Sequence, residues 1–375
     1  MNYELIATAT FGLEAVVRRE IEGLGYKIIK TEDGKVTFLG DERAIVRSNL
    51  WLRCADRVLL KTAEFTAVTF EELFQGTKAY PWEEIIPIDG EFTVTCSTVK
   101  SKLHNPPAIQ SIAKKAIVER MRSAYGIDRF PETGAAHTVK VTILKDRVTL
   151  TVDTSGTGLH KRGYRVAGVE APIKETLAAA LVKLSFFGPG RILIDPCCGS
   201  GTIPIEAALI ARNIAPGCNR DFAAEKWKFI DRKLWIEERL AARDGVETDS
   251  KIYAYDINPK AVEAARRNAL EAGVDDIIEF ARLDARKLKA PPGDRGMIVT
   301  NPPYGERIGE REEIDEIYGA FGRFFRENPD WSLFIITPDR EIERKIAGRK
   351  ADRRRKLYNG SIETTYYQFH GRKQR

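Results

Sequence analysis

The sequence IVTNPPYGERIG, residues 298–309, ends an apolar run in one amide, two prolines and an aromatic ring. Proline has no N–H to donate to a sheet, so a strand that reaches Pro302 must stop there. The side-chain oxygen of Asn301 and the carbonyl oxygen of Pro302 can then accept hydrogen bonds from the exocyclic amine of a nucleobase, and Tyr304 offers a ring on which a flipped-out base can stack. The segment predicts a site that orients a base amine; an ordinary turn after a strand is the alternative.

A second apolar run ends in DPCCGSGT, residues 195–202, and leads into a predicted helix. The Gly199-Ser200-Gly201 loop allows a tight turn and a close approach of a ligand, and the beginning of the helix offers free N–H groups. The loop lacks the third glycine of the dinucleotide-binding fingerprint, and Asp195 would repel a pyrophosphate. An acid at this place suits a cation, such as the amino group of an amino-acid moiety.

Two further predicted strands end in an acid. Asp256 can accept two hydrogen bonds from a ribose diol, although capping of the helix that follows is the alternative. Asp284 can accept from the exocyclic amine of adenine. Read in chain order, an amino-acid cation, a ribose diol and an adenine amine together describe S-adenosylmethionine. Direct, in-line transfer of its methyl group to a base amine would gain mainly from positioning and needs no metal and no covalent nucleophile.

From residue 190 onwards, apolar runs alternate with amphipathic segments. Helices are predicted near 201–213, 259–272, 312–327 and 340–347, and residues 214–250 are predicted to be a partly helical insertion. Strands are predicted at 191–196, 251–256, 278–285, 296–301, 332–338 and 362–371. This alternation indicates a doubly wound, mainly parallel sheet, whose ligands lie beyond the carboxyl ends of the strands.

The first half of the chain mixes short strands and helices in the manner of an α+β fold. Hairpins are predicted to turn at Asp33-Gly34 and at Lys145-Asp146. Residues 154–170 are rich in glycine and basic residues and lack periodicity, so a domain boundary is expected there.

The composition is that of a globular protein, with 43% hydrophobic and 30% charged residues and a net charge of +6. The sequence has no apolar run long enough to span a membrane and no signal-peptide pattern, and its five cysteines are few and unspaced. We therefore expect a cytoplasmic protein without disulfides or a membrane partner. Adjacent Cys197 and Cys198 cannot easily chelate one zinc ion, so no metal site is predicted. Basic runs at 159–165 and 339–360 fit either phosphate contacts or a solvated surface.

The motifs LIDPCCGSGTI, YAYDINP, RLDA and NPPYGER resemble those of class I S-adenosylmethionine-dependent methyltransferases that act on exocyclic amines. The segment LHKRGYRVAGVEAPIKETLAAAL resembles the junction of THUMP-domain RNA methyltransferases. Within that group the chain is similar to the bacterial 23S ribosomal RNA guanine-N2 methyltransferase family, whose larger members carry this unit as their N-terminal part.

The resemblance implies a class I (Rossmann-like) domain with a seven-stranded sheet at 173–375, after a linker at 156–172. It implies a ferredoxin-like portion at 1–60 and a THUMP domain, which binds RNA, at 61–155. The cofactor pocket would be lined by Gly199, Ser200, Gly201, Asp256 and Asp284. The target base would be oriented by Asn301, Pro302 and Tyr304. RNA phosphate or junction contacts would come from Lys161, Arg162 and Arg165.

The expected function is therefore methyl transfer from S-adenosylmethionine to the N2 amine of a guanine in 23S ribosomal RNA. Transfer RNA enzymes share this architecture, and the Asn-Pro-Pro-Tyr turn also serves adenine-N6 methylation, so both remain alternatives. A non-catalytic RNA-binding assembly factor is a further alternative, which predicts decay of the cofactor loop or of the Asn-Pro-Pro-Tyr turn. Both are intact in the sequence.

Overall fold

The computed structural model describes residues 2–167, 172–292, 295–305, 310–346 and 348–372. Two seven-stranded sheets organise these residues, one in each half of the chain. No helix in the described ranges is long and apolar enough to cross a membrane.

The N-terminal sheet has the strand order β2-β3-β1-β4-β7-β6-β5. Its neighbouring strands are antiparallel, except that β5 and β6 are parallel. The elements are β1 (Tyr3–Ala9), α1 (Glu14–Gly23), β2 (Lys27–Glu32), β3 (Lys35–Gly40), α2 (Glu42–Trp51), β4 (Ala55–Thr66), α3 (Phe70–Lys78), β5 (Glu91–Val99), α4 (Pro106–Tyr125), β6 (Ala136–Leu144) and β7 (Arg147–Asp153). Strand β4 runs across residue 60, so one continuous sheet joins residues on both sides of that position.

Local signals account for the ends of these elements. Asp41 caps α2 by accepting a hydrogen bond from the backbone N–H of Ala44 at 2.9 Å. The predicted β6–β7 turn is confirmed, with Lys145 and Asp146 at φ 51° and 63°, the left-handed conformation that a tight two-residue hairpin requires.

The C-terminal sheet has the strand order β10-β9-β8-β11-β12-β14-β13. Its elements are α5 (Glu175–Leu184), β8 (Ile192–Asp195), α6 (Thr202–Ala211), α7 (Arg232–Arg243), β9 (Lys251–Asp256), α8 (Pro259–Ala272), β10 (Ile278–Arg282), β11 (Gly296–Thr300), α9 (Glu310–Glu327), β12 (Ser332–Thr337), α10 (Ile342–Ile346), β13 (Arg353–Asn359) and β14 (Ile362–Phe369). The strands from β10 to β12 are parallel, whereas β14 is antiparallel to both neighbours. The prediction of a mainly parallel sheet is confirmed.

Strand β13 was not among the strands predicted from periodicity. It lies within the basic run 339–360, and only Leu357 of its seven residues is buried. Charged residues on an edge strand discourage pairing with other chains, and they also erase the apolar alternation by which a strand is recognised.

A buried charged cluster of Arg53, Arg162 and Glu206 joins the two halves of the chain. The guanidinium of Arg162 lies 3.2 Å from a carboxylate oxygen of Glu206 on α6, and both side chains are almost fully buried. A second Arg162 nitrogen donates to the carbonyl oxygen of Arg53, just before β4. The guanidinium of Arg53 in turn donates to the carbonyl oxygen of Ile214 at 2.6 Å. These contacts fix the junction segment against both sheets.

The hairpin formed by β13 and β14 also contacts the N-terminal half. The Arg355 guanidinium donates to the carbonyl oxygen of Gly12 at 2.8 Å, and the rings of Phe11 and Tyr358 meet edge to face. Gly12 has φ +89°, and a Cβ there would lie 2.7 Å from the carbonyl oxygen of Lys356. Glycine is therefore required at this contact.

We expect Glu206→Gln to lower the free energy of unfolding by about 3 kcal/mol, because it leaves buried arginines without their counter-charge. Asp276→Asn, which breaks the surface pair with Arg212, is the matched control and should cost less than about 1 kcal/mol. Denaturant unfolding of both variants measures this difference. Equal costs in the two variants would contradict the importance of the buried cluster.

Candidate active site

The strand ends singled out in the sequence lie side by side, because β10, β9, β8 and β11 are neighbours in that order. The backbone N–H of Gly199 donates to the Asp256 carboxylate at 2.9 Å. The next contact along joins the N–H of Cys198 to the carbonyl oxygen of Tyr255 at 2.8 Å. The glycine loop after β8 is thus held directly against the end of β9.

The glycine loop also brings α6 close to α8. Gly201 has φ +83°, and a Cβ there would lie 2.9 Å from the Cβ of Ala265. No side chain caps α6 at Gly201, so its first N–H groups face the loop without a side-chain partner. The buried hydroxyl of Ser200 also has no hydrogen-bond partner within the described residues. Free N–H groups and a free hydroxyl suit the carboxylate of an amino-acid moiety.

Asp195 occupies a different environment from the one its sequence position suggested. Its side chain is 1% exposed. It accepts hydrogen bonds from the Thr300 hydroxyl at 2.7 Å and from the Cys197 N–H at 3.2 Å. Burial raises the pKa of the Asp195 carboxyl to about 7. These contacts use one carboxylate oxygen to tie the end of β8 to the end of β11, so Asp195 positions the strand ends. Its binding of an amino group stays a prediction.

The other two acids are accessible, but to different degrees. One carboxylate oxygen of Asp256 accepts from the N–H of Asn258 at 2.8 Å and the other from Gly199, which leaves lone pairs for a diol. The Asp284 carboxylate is bound by the Arg286 guanidinium at 2.7–3.0 Å. This guanidinium lowers the pKa of Asp284, so the carboxyl remains ionised and an acceptor.

Ile257 is a residue that the sequence reasoning missed. Its side chain is 54% exposed directly after Asp256, at the end of β9. An exposed apolar surface beside a carboxylate suits a flat ring joined to a ribose. The available signal was an isoleucine immediately after a strand-terminal acid, where a turn usually carries polar residues.

The residues of the Asn-Pro-Pro-Tyr turn are held by hydrogen bonds among side chains. The Tyr304 hydroxyl donates to the side-chain oxygen of Asn301 at 2.7 Å. It accepts in turn from the side-chain N–H of Asn359 at 3.0 Å. Burial raises the pKa of Tyr304 to about 12, so its hydroxyl keeps the proton that it donates. The oxygen of Asn301 retains one lone pair for a substrate N–H.

Asn359 was also missed, because it stands in the basic run 339–360. It is the last residue of β13 and lies at the tip of the hairpin whose strand β13 contacts Gly12 through Arg355. A strand whose charges hide its periodicity gives no sequence signal for the residue at its end.

The three basic residues of the junction do not share one environment. Lys161 is exposed, and its ammonium has no partner among the described residues. Arg162 is 3% exposed and belongs to the buried cluster. Arg165 donates to the Glu175 carboxylate at 2.9 Å and to the Thr202 hydroxyl at 3.1 Å. Arg162 and Arg165 therefore make the junction contacts that were expected as the alternative, and only Lys161 is free to meet a phosphate.

A family model described as an RMKL-like methyltransferase domain matches residues 162–368, more than half of the chain. The chain therefore belongs to the RMKL-like methyltransferases. Two further models match the N-terminal half: an RlmL ferredoxin-like domain at 4–59 and a THUMP domain at 67–153.

Relatives extend over the whole chain. A Bacillus subtilis protein named "Putative RNA methyltransferase YpsC" is 48% identical over 98% of this chain and 96% of its own length. The ribosomal RNA large subunit methyltransferase K/L of Psychromonas ingrahamii is 36% identical over 94% of this chain. The chain spans about half (48%) of that relative's length.

Solved structures have the same fold. SMU.472, crystallised with S-adenosylhomocysteine (SAH), is 43% identical, covers 100% of this chain with 99% of its own, and superposes with a TM-score of 0.93. A Listeria monocytogenes protein described as a predicted N6-adenine-specific DNA methylase is 47% identical. The match covers 99% of this chain and 97% of the Listeria chain, with a TM-score of 0.94. The fold class expected from the sequence, a seven-stranded methyltransferase sheet preceded by ferredoxin-like and THUMP domains, is confirmed.

The buried carboxyl of Asp195 should make stability depend on pH. Its pKa is higher in the folded than in the unfolded chain, so the folded state binds the proton more tightly, and stability falls as the pH rises from about 4 to about 7. Asp195→Asn keeps the shape and removes the charge. We expect the free energy of unfolding of this variant, relative to that of the wild type, to rise by roughly 1.4 kcal/mol for each pH unit between about 4 and about 7. Denaturant unfolding at pH 5 and pH 7 measures this; a difference independent of pH would contradict it.

Asn359→Asp tests the hydrogen bonds of the turn. A carboxylate at this position would attract the Tyr304 proton away from Asn301, so we expect turnover in methyl transfer to fall about tenfold while cofactor affinity is retained. Glu363→Gln, in the same hairpin, is the matched control and should leave turnover unchanged. The measurement is single-turnover methyl transfer together with cofactor binding by calorimetry. Equal turnover in the two variants would remove Asn359 from the positioning of the base.

Proposed function

We propose that this protein transfers a methyl group from S-adenosylmethionine to the exocyclic N2 amine of a guanine in 23S ribosomal RNA. The observation that carries the proposal is the Asn301-Pro302 turn at the end of β11, adjacent to the glycine loop of β8. Two fixed acceptors at the end of a central strand match the two N–H bonds of a base amine.

The residues of β8, β9 and β10 suit this cofactor. Free N–H groups of α6 face its carboxylate, Asp256 can accept from its ribose diol, and Asp284 can accept from its adenine amine. The relative crystallised with S-adenosylhomocysteine, the demethylated form of this cofactor, supports the choice of cofactor. When bound, the cofactor supplies an electrophilic methyl group on a sulfonium.

The amine itself is a poor nucleophile, because its lone pair is delocalised into the ring. Asn301 and Pro302 accept its two N–H bonds and so turn the lone pair towards the methyl group. Tyr304 holds Asn301 in place and offers a ring face to the base. No covalent intermediate on the protein is required.

The choice of RNA rests on the N-terminal half and on the relatives. The THUMP model covers residues 67–153, and the junction presents Lys161 beside it. The K/L relatives act on ribosomal RNA of the large subunit by name, which favours that substrate over transfer RNA. Guanine-N2 is favoured through the motif resemblance at residues 157–205 and 296–309.

Adenine-N6 methylation is the second candidate. The same pair of acceptors can orient the amine of adenine, and the Listeria relative is described as an adenine methylase. The match of residues 67–153 to a THUMP model favours RNA over DNA as the substrate, and the motif resemblance favours guanine over adenine.

Nucleoside mass spectrometry tests the proposal. The protein is incubated with labelled S-adenosylmethionine and, separately, ribosomal and transfer RNA from a host that lacks this gene. We expect labelled N2-methylguanosine in the ribosomal pool. The same nucleoside in the transfer RNA pool alone would move the substrate to the alternative, N6-methyladenosine would promote the second candidate, and no transfer would contradict an enzymatic function.

Two substitutions separate cofactor binding from orientation of the base. Asn301→Ala should reduce turnover by at least about a hundredfold and leave cofactor affinity nearly unchanged, because it removes an acceptor used at the reacting amine. Asp256→Ala should weaken cofactor binding. Calorimetry and single-turnover kinetics distinguish the two; normal turnover in the Asn301 variant would remove Asn301 from the mechanism.

A further inference from the structure

Most cations of the basic run 339–360 are neutralised by carboxylates. The pairs are Arg340–Glu363, Arg344–Glu341, Lys345–Asp339, Arg349–Asp352, Arg354–Glu343 and Lys356–Glu363. Lys350, Arg353 and Arg355 have no carboxylate partner within the described part of the chain. Lys350 is exposed and fits a solvated surface, whereas Arg353 and Arg355 line the same cavity.

Both of these arginines face a cavity of about 230 Å³. The cavity is formed where α1, the end of α5 and the β13–β14 hairpin meet. It is lined by Arg19, Lys183, Leu184, Phe186, Arg353, Arg354, Arg355 and Gln368. Five of these described residues are cationic and none is acidic, so the cavity wall carries a surplus of positive charge.

Carboxylates outside the cavity pair with only some of its five cations. Lys183 pairs with Glu20 at 3.3 Å, and Arg354 pairs with Glu343. The guanidinium of Arg19 has no carboxylate partner among the described residues, and Arg355 donates to the carbonyl oxygen of Gly12. Burial, together with repulsion from Arg19, lowers the pKa of Arg355. Arg19 and Arg353 are exposed and Arg355 is half-buried, and none of the three contacts a carboxylate among the described residues, although Glu14 attracts Arg355.

Gln368 is a buried polar residue of the cavity wall. It lies opposite Arg353 in the β13–β14 register, and its side chain is 3% exposed. Its side-chain oxygen has no hydrogen-bond partner among the described residues, which costs about 1–3 kcal/mol. A phosphate oxygen cannot donate to this acceptor, but a guanidinium drawn into the cavity by a phosphate can.

We propose that this cavity binds a phosphate group of the RNA backbone. Guanidinium groups match the geometry of phosphate oxygens and bind them with charge-assisted hydrogen bonds. The inference rests on the proposed RNA substrate and adds a contact outside the THUMP domain. Strand β13 leads from Arg353 to Asn359, a distance of about 20 Å at ~3.3 Å per residue. RNA held in the cavity can therefore extend to the Asn-Pro-Pro-Tyr turn.

The test compares two double variants with the same change in charge. Arg19→Gln/Arg353→Gln removes two of the three cavity cations that lack a carboxylate partner among the described residues; Arg355 is kept because it holds Gly12. Arg18→Gln/Lys356→Gln is the control, because these neighbours stand on the same helix and strand, pair with Glu22 and Glu363, and do not line the cavity. The affinity of each variant for a ribosomal RNA fragment is measured across a range of salt concentrations.

The logarithm of the RNA association constant falls as the logarithm of the salt concentration rises. Loss of one phosphate contact makes this slope shallower by about 0.7–0.9, and we expect this change only in the cavity variant. Affinity at low salt should fall about tenfold in that variant. Equal slopes in both double variants would overturn the proposal. Inorganic phosphate is also titrated into each protein by calorimetry. If the cavity variant loses the phosphate signal but keeps the wild-type salt slope for RNA, the cavity binds a small anion, and the proposal of an RNA contact is overturned.

The binding measurement does not use methyl transfer, so the two proposals can fail separately. If the wild-type protein transfers no methyl group but the salt slopes of the two variants differ, the phosphate site stands and the proposed reaction is wrong. Methyl transfer to RNA with equal slopes would retain the reaction and reject the site.

Discussion

The arrangement of the molecule depends on one buried ion pair, that of Arg162 with Glu206. Glu206 lies on the helix that follows the glycine loop, and Arg162 also binds the carbonyl oxygen of Arg53 in the N-terminal half. Movement of this pair would shift the glycine loop and the N-terminal half together. Buried charges of this kind contribute little net stability, because desolvation offsets their attraction, but they tolerate few alternative geometries. The pair therefore serves to fix the relative position of the two sheets.

The site at the strand ends is built in two layers. Asp195 and Thr300 lie beneath it and join β8 to β11, while Asn359 holds Tyr304, which holds Asn301. Asn359 and Tyr304 thus determine where the side-chain oxygen of Asn301 stands, the atom that we propose accepts from a base amine. Such preorganisation is how a site without a metal or a covalent nucleophile can favour a direct transfer, since its hydrogen bonds do not have to form during the reaction.

The sequence predicted those features that local signals determine. The turn at Lys145-Asp146, the parallel strands and the helices followed from turn residues, apolar periodicity and caps. Strand β13 could not be found, because its charges conceal its alternation and its pairing with β14 is a tertiary contact. Arg162 and Lys161 are neighbours of the same charge, yet one is buried and the other exposed, and only the packing of α6 distinguishes them. Asn359 gains its position beside Tyr304 in the same way, from a residue distant in the chain.

The contact of Arg355 with Gly12 joins residues 343 positions apart. During synthesis on the ribosome, the loop at Gly12 is made long before the strand that covers it. The N-terminal sheet can form early, but the hairpin that reaches from this loop to Tyr304 is completed only after β14 has left the exit tunnel. A growing chain therefore contains the glycine loop of β8 well before Asn359 can hold Tyr304, so the order of synthesis delays completion of the turn at the end of β11.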